Sequence, residues 1–484
     1  MITPETLDRF RAILPPGRVI DDPDLVAPWT SDWRGKYQGQ AAAILAPRST
    51  GEVAAILRLA SELQVAIVPQ GGNSSMVGGA TPPGDGNALI LSLRAMNAIR
   101  TLDADANIAL CEAGVILQTL HEAAAAVGRR FPLTLGAKGV ATVGGLISTN
   151  AGGTQVLRHG TMRAQVEGLE VVLPDGSIVD GLSALKKDNR GYDLKHLLIG
   201  AEGTLGIVTA ASLRLVPAVA SRTVCWAGVE SPARALALLR HLEDALGEAM
   251  EGFEILSDEI VAVVMSEVPS VRRPIESAAA WHVLIETVTA DPGDAEALTE
   301  RAEAALAGAL DKSLILDAAI AASEGQAEAF WKIRESVSMS EKAKGPAMQY
   351  DVSVPVAAMP AFMIDAAAAC ERAFPGSTAQ SYGHLGDGNI HFHVRPPRGP
   401  AHGAPADRGA SWVAARGDAV SAFVNDLVVA AGGSISAEHG IGQMKIHELA
   451  RLDPPARLAA LRAIKGALDP SGIMNPGKLV PPLV

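Results

Sequence analysis

Cysteine is scarce in this 484-residue chain: Cys111, Cys225 and Cys370 are odd in number, widely spaced and never in a CxxC pair. A disulfide scaffold is excluded on that count, and a reducing compartment is favoured. Aromatic residues supply only 4% of the chain, while apolar residues as a class reach 48%; a soluble globular interior filled mainly by aliphatic side chains is expected. No run of about 18 uninterrupted apolar residues occurs, so no membrane span is predicted. Basic residues are outnumbered, 41 against 53, and the net charge is −12. A general nucleic-acid partner, which wants a basic surface, is excluded, although a local basic pocket for an anionic substrate is not. The opening residues read as a helix with Thr3 as cap and Pro4 in its first turn. They do not follow a basic-then-apolar leader pattern, so the cytoplasm is the expected address.

What is present is length and glycine. A chain of this size implies two or more domains, and its 48 glycines imply backbone brought close to a ligand. Residues 41–48 read as a short strand. Ser49 and Glu52 then make a capping-box pattern before a helix with Val53, Ile56, Leu57, Ala60 and Leu63 on one face. Val65–Val68 reads as a buried strand stopped by Pro69. Pro174-Asp175-Gly176 predicts a hairpin turn, and Leu205–Val208 and Leu213–Val216 read as two further strands. From 230 to 330 alanine-rich helical runs (Ala233–Leu246, Ala295–Leu310) alternate with strands such as Trp281–Ile285, which implies a second α+β domain. Pro396–Gly409 reads as a surface loop, and Pro455–Leu468 as a helix stopped by Asp469-Pro470-Ser471-Gly472.

The glycines concentrate in three loops. The first, Pro69-Gln70-Gly71-Gly72-Asn73-Ser74-Ser75-Met76, directly follows a predicted strand. Its small residues can form a nest of backbone N–H groups suited to a diphosphate. It is neither GxGxxG nor a Walker loop, since no lysine follows in register. The second runs from Leu135-Gly136-Ala137 through Thr142-Val143-Gly144-Gly145, Ser148, Asn150 and Gly153. The third spans Gly200–Val208 and contains Glu202, Gly206 and Ile207. Three such loops in one α/β region imply an extended cofactor lying along backbone.

Histidines gather later in the chain. In Gly383-His384-Leu385-Gly386-Asp387-Gly388-Asn389-Ile390-His391-Phe392-His393-Val394, the apolar residues alternate with His391 and His393. On a strand the two imidazoles share a face opposite the core, and His384 lies one glycine-rich turn earlier. Clustered imidazoles suit a transition-metal ion, zinc among them, and Asp387 is read as a turn residue. Further on, Glu438 and His439 are neighbours in Ser436-Ala437-Glu438-His439-Gly440-Ile441-Gly442. Adjacent side chains diverge, so one can bind metal while the other addresses substrate.

Taken in order, these motifs resemble the FAD-binding domain of the vanillyl-alcohol-oxidase / p-cresol-methylhydroxylase flavoprotein superfamily. Within it they are most similar to the D-2-hydroxyglutarate and D-lactate dehydrogenase branch, from about residue 40 to Lys478. The resemblance implies an α+β fold: a two-subdomain FAD-binding domain over 1–217, a substrate- and metal-binding cap domain with antiparallel sheet over 218–445, and a helical segment over 446–484 returning to the flavin. It implies FAD held by the three loops with Asn475. The FAD is expected to be non-covalent, because Asn73 stands where some relatives carry the attaching histidine. It implies a divalent metal, zinc by expectation, on His384, His391 and Glu438, with His439 as base. Arg334, Ser338, Gln349 and His393 fall at substrate-binding positions. Two of these depart from the hydroxyglutarate pattern, which has lysine at Gln349 and asparagine at His393, so the side arm of the hydroxyacid stays open. An electron-transfer flavoprotein or a quinone as electron acceptor, and a homodimer, are further implications. Two other readings of the same residues remain: a metal-dependent hydrolase without redox role, and an oxygen-using flavin oxidase.

Overall fold

The computed structural model describes residues 2–397 and 409–482; most of the predicted Pro396–Gly409 loop lies outside these. The chain divides into two compact units. The first comprises Met1–Gly153, His159–Ala218 and Glu438–Val484, the second Thr154–Arg158 and Val219–Ala437.

The first unit begins with a sheet in the spatial order Val19–Ile20, Ala43–Leu45, Ala88–Ser92, Ala66–Gln70, its last three strands parallel. The intervening helix, Thr50–Leu63, starts where the capping box was read. The Ser49 hydroxyl accepts from Glu52 N at 3.2 Å, while the Glu52 carboxylate reaches one residue further back, to Arg48 N at 2.7 Å. Val53, Ile56, Leu57 and Ala60 make its buried face, with Leu63 only partly buried beside them.

Pro69 does not stop the strand, which runs through it to Gln70. Ile67 N donates to Ile473 O, and Asn475 N donates to Ile67 O, each at 2.8 Å, so the C-terminal segment lies along this edge. Pro69, two residues on, directs its missing donor to the same side, and no bond to the Ala88–Ser92 strand is lost.

A second, antiparallel sheet follows, in the order Ile99–Asp103, Ile108–Glu112, Ile207–Arg214, Val166–Val172, Ile178–Gly181. The two strands read at Leu205–Val208 and Leu213–Val216 are one eight-residue strand plus the short Val216–Pro217. Its middle, Thr209-Ala210-Ala211-Ser212, is buried throughout, and small residues without alternation carry no strand signal. The hairpin turn stands as read, with Gly176 at φ +82°.

The second unit is a seven-stranded antiparallel sheet. Its spatial order is Asp317–Ile320, Ser221–Val229, Trp281–Thr289, Met250–Ser257, Thr378–His384, Asn389–Arg395, Met348–Ser353. Helices Pro232–Leu246, Ala295–Asp311, Met359–Ala373 and Ala410–Ala430 bury one face, packing on Cys225, Ala227, Ile285 and Phe392. Asp258–Glu267 and Glu324–Ala343 bury the other, over Val224, Trp226, Leu284 and Tyr382. Both faces being covered, the strands are apolar on both sides rather than alternating.

The division differs from the expected 1–217, 218–445 and 446–484. Thr154–Arg158 joins the second unit, and the chain returns to the first at Glu438. The reason is local bonding: Ser434 exchanges backbone hydrogen bonds with Ser353, and Ala437 N donates to Asp351 O at 3.4 Å. Up to residue 437, therefore, the segment is tied to the Met348–Ser353 strand.

Candidate functional site

A cavity of about 730 Å³ opens in the first unit, within the range that holds a cofactor. The first glycine loop forms part of its wall. Gln70 ties the loop's base, donating to Trp29 O at 3.0 Å and Ala80 O at 2.9 Å. Arg94, stacked on Trp29, takes the carbonyls of Gly71 (3.0 Å) and Gly72 (3.3 Å). Asn73 sits at φ +53° and donates to Ser31 O at 2.9 Å. Among the described residues, no protein acceptor takes an N–H from Gly71 through Met76. A row of donors with its carbonyls engaged elsewhere is a nest for an anion.

The second loop packs onto the first with no room for side chains. A Cβ on Gly71 would lie 2.2 Å from Thr142 Oγ1, and one on Gly72 would lie 1.9 Å from Val140 O. Thr142 Oγ1 is itself buried without a partner. Unspent donors, an orphaned hydroxyl and a glycine-only approach are what a polar, extended cofactor would satisfy. The cavity wall also takes in Pro69, Ser74 and Ser75 from the first loop; Leu135, Gly136, Ala137, Gly145 and Ser148 from the second; and Glu202, Gly206 and Ile207 from the third.

Four residues of the expected cofactor set do not line the cavity. Val143 is in the apolar core. The Asn150 side chain accepts from Thr161 Oγ1 and Arg163 N at 3.0 and 2.9 Å. Gly153 passes so close to Thr134 O that a Cβ would come within 2.4 Å. Asn475 is buried and donates to Gly79 O at 2.9 Å and Glu202 O at 2.7 Å. They shape the wall from behind. Trp33, Val140 and Gly203 line it without having been singled out. The Glu202–Gly206 motif contained the signal for Gly203, whereas Trp33 comes from far upstream, where nothing in the sequence marks it.

Glu438 and His439 line this same cavity. Just beyond them the chain is fastened to the third loop: Ile441 N donates to Glu202 Oε1 and Gly442 N to Oε2, both at 2.7 Å. Burial raises the Glu202 carboxyl's pKa, and these two donors work against that rise.

In the second unit the histidine strand has the predicted alternation, with Ile390, Phe392 and Val394 wholly buried. His384 ends the neighbouring strand, and its ring stands 5.5 Å from that of His391, edge to face. His384 Nδ1 is bonded at 2.5 Å to Glu254, a buried residue of the Met250–Ser257 strand that sequence reasoning passed over. Glu254 also takes Arg334 Nε at 2.6 Å. Burial alone would raise this carboxyl, but the Arg334 guanidinium and His384 hold it at about 2. Arg334 is therefore engaged with Glu254, lies 5.0 Å over the Tyr382 ring and has Nη2 3.4 Å from His384 Nε2.

His393 turns out to be buried against Glu341, at 3.2 Å, and Glu341 is also held by Arg395 at 2.6 Å. Gln349 pairs with His393 in register, and Ser338 is among the groups that work against the rise burial gives the Tyr382 hydroxyl's pKa. Asp387 accepts from Asn389 N at 3.0 Å and closes the turn between the two histidine strands. His384 and His391 form a two-imidazole donor set whose chemistry fits a borderline metal ion. Nδ1 of His384 is taken by Glu254 and Nε2 has Arg334 Nη2 at 3.4 Å, so a metal on Nε2 would have to displace that arginine contact. The third expected ligand, Glu438, belongs to the first unit.

Comparison with known proteins agrees with this geometry. Residues 41–181 match the FAD binding domain family, and residues 219–479 match the family "FAD linked oxidases, C-terminal domain". The D-2-hydroxyglutarate dehydrogenase of Arabidopsis thaliana is 36% identical, over 98% of this chain and 81% of its own. That of Bos taurus is 37% identical, over 96% and 82%. A D-2-hydroxyglutarate–pyruvate transhydrogenase of Saccharomyces cerevisiae is 33% identical, over 98% and 94%. A structure of p-cresol methylhydroxylase with substrate bound superposes with a TM-score of 0.75 at 17% identity, over 99% of this chain and 96% of that one, and so shares the fold.

The chain belongs to the FAD-linked oxidases and is a flavoprotein with the p-cresol methylhydroxylase type of α+β fold. Within that class it belongs to the FAD-dependent D-2-hydroxyacid dehydrogenases. The expected cytoplasmic address is overturned by the same relatives, since the plant and bovine dehydrogenases are named as mitochondrial. No helix among the described residues is long and apolar enough to cross a membrane.

Proposed function

We propose that this enzyme oxidises a D-2-hydroxyacid to the 2-oxoacid, with His439 as base and a divalent metal held by His384, His391 and Glu438. The observation that carries the reading is the placement of Glu438 and His439 in the wall of the cavity built by the three glycine loops. An imidazole, a group able to take up a proton, thus lines the space proposed for the cofactor. The three glycine loops would hold FAD, without a covalent bond because Asn73 offers no attaching side chain, and the bound flavin would supply the hydride-accepting chemistry.

His439 takes the hydroxyl proton. His384, His391 and Glu438 would hold a divalent cation, which would supply the Lewis-acid chemistry that lowers the hydroxyl pKa. Glu254 fixes the tautomer of His384 and aligns its ring. Glu438 enters this set on the strength of the Ser436–Gly442 motif. Arg334, Ser338, Gln349 and His393 surround the substrate side arm in this reading, and an electron-transfer flavoprotein or a quinone removes the electrons afterwards. A metal-dependent hydrolase has no use for the flavin cradle and is set aside.

The test is anaerobic. Purified holoenzyme is mixed with D- and L-2-hydroxyacids of several chain lengths, with and without verified metal removal, and flavin bleaching is followed. Bleaching by D-isomers that disappears on metal removal is the expected result. Bleaching by no hydroxyacid, or undiminished bleaching without metal, would overturn respectively the activity and the metal role.

A further inference from the structure

We infer that Glu202 is the positioning residue of the proton-abstracting histidine, holding the backbone just after His439 at a fixed distance from the flavin cavity. This rests on the reading of His439 as base. Glu202 is buried, yet it forms no ion pair among the described residues; its two carboxylate oxygens are given one each to Ile441 N and Gly442 N. A buried carboxylate satisfied by two backbone donors is an anchor for that backbone.

Three further observations point the same way. Glu202 adopts φ +50°, a left-handed conformation that costs a non-glycine residue energy. It is held there by Glu202 N bonding to Ser148 O at 2.8 Å and by Asn475 Nδ2 bonding to Glu202 O at 2.7 Å. The approaching segment is glycine on both sides of Ile441, with Gly440 at φ +81° and Gly442 at φ +52°. A Cβ on Gly440 would lie 2.7 Å from Glu202 Oε1, so the segment comes as close as glycine allows. Finally, the residues after the first loop grip the same segment: Gln443 N donates to Val77 O at 3.2 Å and Gln443 Nε2 to Gly78 O at 3.0 Å. His439 is therefore placed by the same loops that form the cofactor cradle, and the base and the flavin share one frame.

Glu202→Gln tests this, since it keeps the shape but sets an amide N–H₂ against one of the two backbone donors. In the holoenzyme, with rates taken per bound FAD and well below each variant's Tm, we expect KM within about threefold. Anaerobic flavin reduction at saturating D-2-hydroxyacid should fall about 100-fold, the scale of an ångström's misplacement. The solvent deuterium isotope effect on that step should rise as proton removal becomes limiting. Gly440→Ala should act similarly, and adding it to Glu202→Gln should cost little more, because both disturb one contact.

Wild-type reduction rates in Glu202→Gln would overturn the inference. So would a rate loss that merely tracks lost FAD or lowered Tm, because that is a structural role only. His439→Ala serves as the reference. If it reduces flavin at the wild-type rate, the base assignment itself fails; if it is slow while Glu202→Gln is not, only the positioning role fails.

Discussion

Glu254 and His384 are bonded at 2.5 Å across neighbouring strands, with the carboxylate fully buried and Arg334 on its far oxygen. The pair holds the imidazole in one orientation, the arrangement the proposed metal site would use. Glu254→Gln removes the charge and keeps the volume. Metal affinity should weaken about 10- to 100-fold, the usual cost of losing an outer partner of a ligating histidine. Titration of metal-free holoenzyme with Zn²⁺, read by recovered flavin reduction, measures it. Unchanged affinity would remove Glu254 from the metal site.

The glycine cradle can be probed through its tightest approach. Gly72→Ala places a methyl 1.9 Å from Val140 O. It should cost about 1–3 kcal/mol of loop distortion and raise the FAD Kd about 10- to 100-fold. Gly139→Ala, where a Cβ would meet nothing within 4 Å, is the control and should leave Kd unchanged. Flavin fluorescence on titration into apoprotein reports both. Equal affinities in the two variants would mean that the first loop does not hold the cofactor.

A pH dependence of stability should trace to His282. This buried imidazole accepts from Trp226 Nε1 at 3.0 Å on Nδ1 and donates from Nε2 to Asp258 at 2.9 Å. Burial lowers its pKa below the ordinary value, and the Asp258 carboxylate only partly restores it. The unfolded chain therefore binds this proton more readily, and its stability contribution is complete above about pH 6.5 and lost as pH falls below that. His282→Gln should flatten the decline of Tm between pH 7 and 5. An identical slope in both proteins would assign the acid sensitivity elsewhere.

Specificity for the side arm should respond to position 349. Arg395 is already matched by Glu341 and Arg334 by Glu254, so Gln349→Lys adds a cation to a neutralised region. The ratio of kcat/KM for D-2-hydroxyglutarate over D-lactate should rise about tenfold or more, the scale of one charge-assisted hydrogen bond. No change in the ratio would place residue 349 outside the substrate pocket.

Much of this was legible from short stretches. The Ser49–Glu52 cap, the small-residue loops and the histidine strand depend on neighbours within one helical turn or one pleat. Where reading failed locally, tertiary context was the cause. Pro69 continues a strand because its missing donor faces the C-terminal segment, and Thr209–Ser212 form a strand because both sides are covered.

The chain's own order of residues thus determined the type of cofactor cradle, the imidazole pair and the candidate base. Only the tertiary structure decided that Glu254 belongs to His384, 130 residues away, that Glu202 belongs to Ile441, 239 residues away, and that Trp33 belongs to the cavity wall. The physical reason is that a cap or a nest is satisfied by adjacent backbone. A buried carboxylate, by contrast, is satisfied by whichever donor the folding of distant strands brings within 3 Å, and no local pattern records that choice.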